Sequence, residues 1–99
     1  KEVLSNLGKN GVIINVARGS VIDQDELIDS LENNLILAAG LDVYSNEPNI
    51  PEKLINLENT VLLPHIASGT VETRNAMGQL VFDNIENYFQ NKSLISEVV

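Results

Sequence analysis

Cysteine is absent from this sequence of 99 residues, and histidine occurs only once. Without cysteine the chain can form no disulfide and no thiolate metal site, which excludes a small secreted scaffold held together by disulfides. One histidine is too few for a typical zinc site, so we expect no metal. No apolar run approaches the roughly 20 residues that a membrane-spanning helix requires, so we expect no association with a membrane.

Basic residues are also scarce. There are 6 Lys and Arg residues against 14 Asp and Glu residues, which gives a formal net charge of -8. Such a surface repels phosphate backbones, so nucleic acid is not an expected partner. The composition, with 43% hydrophobic residues, is typical of a soluble globular domain, and the length corresponds to one domain or less. The sequence opens at Lys1 without a methionine and enters a helical pattern at once. We therefore expect a piece of a longer protein.

Three short apolar runs have the length of β-strands: residues 12–17 (VIINVA), 36–41 (ILAAGL) and 60–63 (TVLL). The first run is mostly β-branched and lacks polar alternation, which predicts a strand that is buried on both faces of a parallel sheet. Helical patterns alternate with the three runs. This order predicts an α/β protein with right-handed crossovers, in which the strands form part of a doubly wound sheet.

The helical segments carry end signals. An apolar stripe at the start of the chain ends at Gly8, and Asp23 is placed to cap a second helix, with Glu26 in the capping-box position. The last helix starts near Thr70 and runs to about Phe89, which corresponds to a length of roughly 30 Å. That is long for a simple crossover, and it predicts a helix that reaches another part of the molecule.

A distinctive polar residue follows each predicted strand. Arg18 follows the first strand, Asp42 the second and His65 the third, and Glu47 lies five residues beyond Asp42. In open α/β sheets, ligands bind beyond the carboxyl ends of the strands. If the strands are parallel, these four side chains gather at one edge.

Taken singly, each of these residues is also compatible with an ordinary structural role. Arg18, next to a glycine, is compatible with a solvated turn, and Asp42 with the cap of a turn. Glu47 is compatible with a plain loop acid, and His65 with a hydrogen-bonded structural histidine. Their shared location favours a functional site.

The residue types at this edge suit proton transfer. A carboxylate next to a histidine favours the imidazolium and orients the ring, which makes a general acid/base pair. An arginine can donate two hydrogen bonds to a substrate carboxylate. Ser68 is close to His65 in sequence but lies in no nucleophile-elbow pattern. The set cannot supply a hydride, so a cofactor is implied.

Four motifs in this order resemble the closing signatures of the D-2-hydroxyacid dehydrogenases: residues 15–20 (NVARGS), 40–43 (GLDV), 47–48 (EP) and 64–68 (PHIAS). The resemblance runs over the whole chain. Residues 63–74 and 94–99 are most similar to the cytosolic branch of glyoxylate/hydroxypyruvate and hydroxyphenylpyruvate reductases.

The resemblance implies a Rossmann-like fold. Residues 1–69 would form the carboxyl-terminal half of an NAD(P)-binding domain, and residues 70–99 a crossover helix and tail of the substrate domain. The implied activity is reduction of a small 2-oxo acid (glyoxylate, hydroxypyruvate or hydroxyphenylpyruvate) to the D-2-hydroxy acid with NADPH or NADH. A cytoplasmic homodimer is implied for the complete protein.

The resemblance also implies residue roles. Arg18 would bind the substrate carboxylate and polarise the keto oxygen. His65 would donate the proton during reduction and remove it during oxidation. Glu47 would hydrogen-bond His65 and favour its charged form, and Asp42 would contact the nicotinamide carboxamide. The residues implied to contact the cofactor are Ala17, Arg18, Asp42, His65, Ser68 and Gly69.

Two parts of the family pattern are missing: the G-x-G-x-x-G turn that binds pyrophosphate and the loop that completes carboxylate binding. We expect both upstream of Lys1, and we expect these 99 residues alone neither to bind cofactor tightly nor to turn over. The sequence does not choose between NADH and NADPH. A dinucleotide-sensing corepressor of the same fold is an alternative, since such proteins can keep Arg18, Glu47 and His65. A stand-alone interaction domain is disfavoured, because a three-stranded sheet leaves an unpaired edge.

Overall fold

A parallel sheet of three strands organises the chain in the computed structural model, which describes residues 2–98. The strands are β1 (Val12–Asn15), β2 (Ala38–Leu41) and β3 (Thr60–Leu62), in the order β1-β2-β3. Val12 pairs with Ala38, and Ala39 pairs with Thr60. The predicted α/β class with parallel strands is confirmed, although each strand is shorter than its apolar run.

Helices precede, connect and follow the strands: α1 (Glu2–Leu7), α2 (Gln24–Glu32), α3 (Glu52–Ile55) and α4 (Val71–Phe89), with a 3-10 turn at Gly19–Val21. The predicted cap of α2 is confirmed, because the Asp23 side chain accepts a hydrogen bond from the Glu26 amide at 3.2 Å. Thr70 caps α4 in the same way, through the amide of Thr73. The 3-10 turn directly after Arg18 was not predicted.

The core lies on one face of the sheet. Side chains from α1, α2, α3 and the sheet form a single buried cluster, made by Leu4, Leu27, Ile28, Leu31, Ile36, Ala39, Leu41, Tyr44 and Leu54. On the opposite face Ile14 is 71% exposed and Val61 is 64% exposed. The prediction that β1 is buried on both faces is therefore wrong for this chain, because α1, α2 and α3 pack on one face only.

The chain divides into two compact units, Lys1–Ala67 and Ser68–Val99. The second unit contains α4 and a tail that folds back onto the helix. Asn84 holds this tail, because its side-chain oxygen accepts hydrogen bonds from the amides of Ile95 and Ser96, at 2.9 and 3.3 Å. Among residues 2–98 no helix has the length and apolar character needed to cross a bilayer.

Candidate active site

The carboxyl ends of the three strands lie at one edge of the sheet, because the strands are parallel and adjacent. Backbone hydrogen bonds extend this order past the strand ends. The Asp42 amide donates to the Asn15 carbonyl at 3.0 Å, and the Leu63 amide donates to the Leu41 carbonyl at 2.8 Å. The segments that carry Arg18, Asp42 and His65 therefore all leave the sheet at the same edge, as predicted.

Glu47 and His65 form a close pair at this edge. The Nδ1 atom of His65 lies 2.6 Å from Oε2 of Glu47. The other carboxylate oxygen, Oε1, accepts a hydrogen bond from the Tyr44 amide at 2.9 Å. The pair is open to solvent, with the side chain of His65 49% exposed and that of Glu47 34% exposed. Both carboxylate oxygens are engaged, which holds the carboxylate of Glu47 opposite Nδ1 of His65.

The charge of Glu47 is stabilised by the same contacts. The hydrogen bond from His65 lowers the pKa of the Glu47 carboxyl below its ordinary value, and the Tyr44 amide lowers it further. Glu47 is therefore an anion at neutral pH. An anion that accepts from Nδ1 holds the ring in the form that carries a proton on Nδ1 and leaves Nε2 to face a ligand.

Asp42 anchors the loop that carries His65. Its carboxylate is 1% exposed, and it accepts hydrogen bonds from the Ile66 amide at 2.7 Å and the Ala67 amide at 2.8 Å. His65 has a left-handed backbone conformation, with φ 54°, which turns these consecutive amides towards one anion. The Ile66 hydrogen bond is the largest cause of a lowered pKa for Asp42. Asp42 thus stays charged and fixes the backbone on which His65 stands.

Tyr44 and Gly19 join the neighbouring loops. The buried Tyr44 hydroxyl donates to the Leu63 carbonyl at 2.8 Å and lies 3.2 Å from the Leu41 carbonyl. Burial raises the pKa of this hydroxyl, so it remains a donor. A Cβ on Gly19 would collide with the Tyr44 carbonyl group. The turn after Arg18 therefore lies directly against the loop that leads to Glu47.

Arg18 is at the same edge but is not part of this hydrogen-bonded network. Its Nη1 atom donates to the Ala17 carbonyl at 2.6 Å, and the side chain is exposed. Within the described part of the chain, no hydrogen bond or ion pair joins Arg18 to Glu47 or His65. The backbone of the turn is held instead by Asn15, whose side chain bonds to Ala17 and Arg18. Much of the guanidinium fork is therefore available to an incoming anion.

A small hollow borders the Glu47–His65 pair. Its volume is about 180 Å³, and its lining combines the acid/base pair with aromatic and aliphatic side chains: Tyr44, Glu47, Pro48, Ile50, Pro64 and His65. Apolar walls reduce the competition of water for hydrogen bonds. The hollow therefore offers a ligand a partly apolar wall beside the acid/base pair.

The structure brings most of the predicted residues together. Glu47 and His65 are in contact, Asp42 binds the His65 loop, and Ala17 and Arg18 share a turn at the same edge. Ser68 and Gly69 belong to the second unit, and their contact with a cofactor stays a prediction, as do the roles of the other residues.

The sequence did not identify two residues that hold the site together, Asn15 and Tyr44. Asn15 was noted as part of a motif but was given no role, although an asparagine that leaves a strand two residues before a turn is a signal for binding of its side chain to the backbone. Tyr44 had no comparable signal. Its hydroxyl reaches a residue 19 positions away, and only the folded chain reveals this contact.

Comparison with known proteins gives a consistent result. The chain is 52% identical to glyoxylate/hydroxypyruvate reductase A of Arabidopsis thaliana over 100% of its own length and 32% of that protein. Hydroxyphenylpyruvate reductase of Plectranthus scutellarioides is 50% identical over the same shares. The crystal structure of an NADPH-dependent glyoxylate/hydroxypyruvate reductase from Sinorhizobium meliloti, in complex with NADP and malonate, matches with a TM-score of 0.84 and 50% identity, covering 99% of this chain and 31% of that one.

The chain spans about a third of the length of these relatives. The family itself is identified by a separate match, which covers more than half of the chain. Residues 1–67 match the NAD binding domain of the D-isomer specific 2-hydroxyacid dehydrogenases, and the chain belongs to that family.

Proposed function

We propose that the complete protein reduces a small 2-oxo acid, such as glyoxylate, hydroxypyruvate or hydroxyphenylpyruvate, to the D-2-hydroxy acid with NADPH or NADH. The observation that carries this proposal is the 2.6 Å contact between His65 Nδ1 and Glu47 Oε2, at the sheet edge that also carries Arg18. An imidazole paired with a carboxylate, at the same edge as a guanidinium that has one nitrogen on the Ala17 carbonyl and further donors to offer, suits a substrate with a carboxylate beside a ketone.

His65 acts as the proton donor in this proposal. Reduction of a ketone needs a hydride at the carbon and a proton at the oxygen. Because Glu47 occupies Nδ1, the atom of His65 that faces the keto oxygen is Nε2. Transfer of the Nε2 proton leaves a neutral ring that still donates from Nδ1 to Glu47, so the ring does not reorient during the step. In the oxidation direction Nε2 takes the proton back.

Arg18 binds the substrate carboxylate. A guanidinium donates two parallel hydrogen bonds to a carboxylate, which fixes both the position and the rotation of the substrate. The exposed Arg18 side chain has one nitrogen on the Ala17 carbonyl and can offer its others to a ligand. A substrate held in this way would direct its keto oxygen towards His65, and Arg18 would polarise that oxygen.

The residues of this chain fit the nicotinamide end of a dinucleotide. The Asp42 carboxylate, held by the Ile66 and Ala67 amides, is an acceptor for a carboxamide in this proposal. Ala17 is exposed in the segment that leaves β1 at the same edge. A bound NAD(P)H supplies the hydride, which no side chain can provide. The sequence contains no G-x-G-x-x-G turn for the pyrophosphate, so tight cofactor binding requires further residues.

The remaining two thirds of a protein as long as the relatives would supply those residues. We assign residues 1–69 to the NAD(P)-binding domain and residues 70–99, with α4, to the substrate domain. A cytoplasmic homodimer is part of the same proposal. Residues 1–99 alone are then expected to be inactive, since both the phosphate-binding turn and the second half of the substrate pocket are missing.

The test is an assay of the complete protein with both cofactors and a panel of 2-oxo acids. We expect oxidation of NADPH or NADH that depends on the 2-oxo acid and yields the D-isomer. The isolated residues 1–99 serve as the control and should give no measurable turnover. Failure of the complete protein to reduce any 2-oxo acid with either cofactor would refute the proposed function.

A further inference from the structure

We propose that Asn15 is the residue that positions Arg18 for the substrate, an inference that rests on the proposed function. Asn15 is the last residue of β1 and is 4% exposed. Its side chain points into the turn that carries Arg18, where a polar group needs hydrogen bonds to be buried without cost. The side chain finds them on two successive residues of that turn.

The two hydrogen bonds of the Asn15 side chain hold the turn from opposite sides. Its Nδ2 atom donates to the Arg18 carbonyl at 2.9 Å, and its Oδ1 atom accepts from the Ala17 amide at 3.1 Å. Only one orientation of the amide serves both partners, because a carbonyl needs a donor and an amide needs an acceptor. Any residue without both a donor and an acceptor at this position would release one side of the turn.

Asn15 also ties the turn to the rest of the site. Its backbone carbonyl accepts from the Asp42 amide at 3.0 Å, and Asp42 in turn holds the loop of His65. The Arg18 side chain makes no ion pair within residues 2–98 that could fix it before a ligand arrives. The Arg18 carbonyl also accepts from the Val21 amide at 3.2 Å, which belongs to the 3-10 turn itself. Asn15 is the contact that connects the Arg18 backbone to β1 and, through the Asp42 amide, to the segment that holds the His65 loop.

The sharpest test is Asn15→Asp in the complete protein. One carboxylate oxygen can still accept from the Ala17 amide, but the other cannot donate to the Arg18 carbonyl and repels it. We expect KM for the 2-oxo acid to rise about tenfold, the effect of displacing one hydrogen-bonded group on a charged ligand. Because the Ala17 contact survives, the dissociation constant of NADPH should change by less than about twofold.

Two comparisons separate positioning from a general structural effect. Asn59→Asp makes the same change at a half-buried asparagine that donates to the carbonyls of Leu31 and Leu37, beyond the amino end of β2, and it should leave KM unchanged. In an Arg18→Ala background, Asn15→Asp should have little further effect on KM, because the residue on which Asn15 acts is gone. A crystal structure of Asn15→Asp should show the Arg18 carbonyl turned away and the Ala17 contact intact.

Two results would overturn the inference. One is an unchanged KM in Asn15→Asp while Arg18→Ala is strongly impaired, and the other is a full tenfold effect of Asn15→Asp in the Arg18→Ala background. If Asn15→Asp does not fold, Asn15→Ser carries the same test, because a single hydroxyl cannot span both bonds. Inactivity of the unaltered protein on every 2-oxo acid would instead refute the proposed function.

Discussion

Two parts of the sheet edge differ in how many of their polar side-chain atoms have hydrogen-bond partners. The loops after β2 and β3 form a closed network, in which both oxygens of Glu47 and both oxygens of Asp42 accept hydrogen bonds. The segment after β1 is held by Asn15, but within residues 2–98 the Arg18 guanidinium bonds only to the Ala17 carbonyl. The acid/base pair is therefore set before a ligand binds, whereas the arginine still has most of its donors to satisfy.

The difference reflects the chemistry that we assign to each part. A proton donor must be aligned to a fraction of an ångström, so its partners are other groups of the protein. An anion-binding arginine must keep its hydrogen bonds for the substrate. Substitutions in the network should therefore act on kcat and on pH dependence, and substitutions at Arg18 on substrate binding.

Removal of the proton donor should have the largest effect. We expect His65→Ala to lower kcat by a factor of about 10² to 10⁴, the range for loss of a general acid. The dissociation constant of the cofactor, measured by fluorescence titration, should stay close to that of the unaltered protein. A kcat within a factor of about three of the unaltered protein would show that another group delivers the proton.

Replacement of the Arg18 guanidinium should have the next largest effect on activity. Arg18→Lys keeps the charge but loses the paired hydrogen bonds, so kcat/KM for the 2-oxo acid should fall by about 10- to 100-fold, mainly through KM. Arg74→Lys, the same substitution at an exposed position in α4, is the matched control and should be neutral. Equal effects of the two substitutions would contradict a role for Arg18 in binding the carboxylate.

Loosening of the His65 loop should have a moderate effect. Asp42→Asn turns one acceptor into a donor, so either the Ile66 or the Ala67 amide loses its partner. We expect kcat to fall about tenfold, since displacement of a catalytic group by about 1 Å costs up to about 10²-fold. Asp25→Asn, at an exposed position in the first turn of α2, should leave kcat unchanged. An unimpaired Asp42→Asn enzyme would mean that the loop is fixed by other contacts.

Acid should weaken the network by a smaller, measurable amount. The folded-state pKa of Glu47 is lowered, so the Glu47 contacts stabilise the fold above the ordinary carboxyl pKa, and this stabilisation is lost as pH falls through the lowered value. The difference in the free energy of unfolding between the unaltered protein and Glu47→Gln should therefore shrink from about pH 6 to about pH 3. A difference that is constant over this range would contradict the lowered pKa.

The parallel sheet and the residues at its carboxyl edge were predictable from sequence, for physical reasons. Short apolar runs that each end in a polar residue predict a parallel sheet with one reactive edge, and this placed Arg18, Asp42, Glu47 and His65 correctly. The pattern did not predict the 3-10 turn after Arg18, which is closed by backbone hydrogen bonds from Val21 to Arg18 and from Ile22 to Gly19. It also did not predict that the Asn15 side chain holds Ala17 and Arg18.

Burial was harder to predict than strand direction. The β-branched character of β1 predicts apolar surroundings on both faces, yet Ile14 is exposed because α1, α2 and α3 cover only the other face. Local sequence patterns also do not predict contacts between residues that are distant in sequence. Tyr44 bonds to the Leu63 carbonyl, and a Cβ on Gly19 would collide with the Tyr44 carbonyl group, and neither contact has a local sequence signature.

The kcat of Glu47→Gln tests the central claim most directly. Glutamine keeps the shape of Glu47, but one of its two terminal atoms can no longer accept a hydrogen bond, so either the Tyr44 amide or Nδ1 of His65 loses its partner. The account predicts that kcat for 2-oxo acid reduction falls about tenfold in this variant, while Glu52→Gln, at the exposed start of α3, leaves kcat unchanged. A kcat for Glu47→Gln equal to that of the unaltered enzyme would contradict the account.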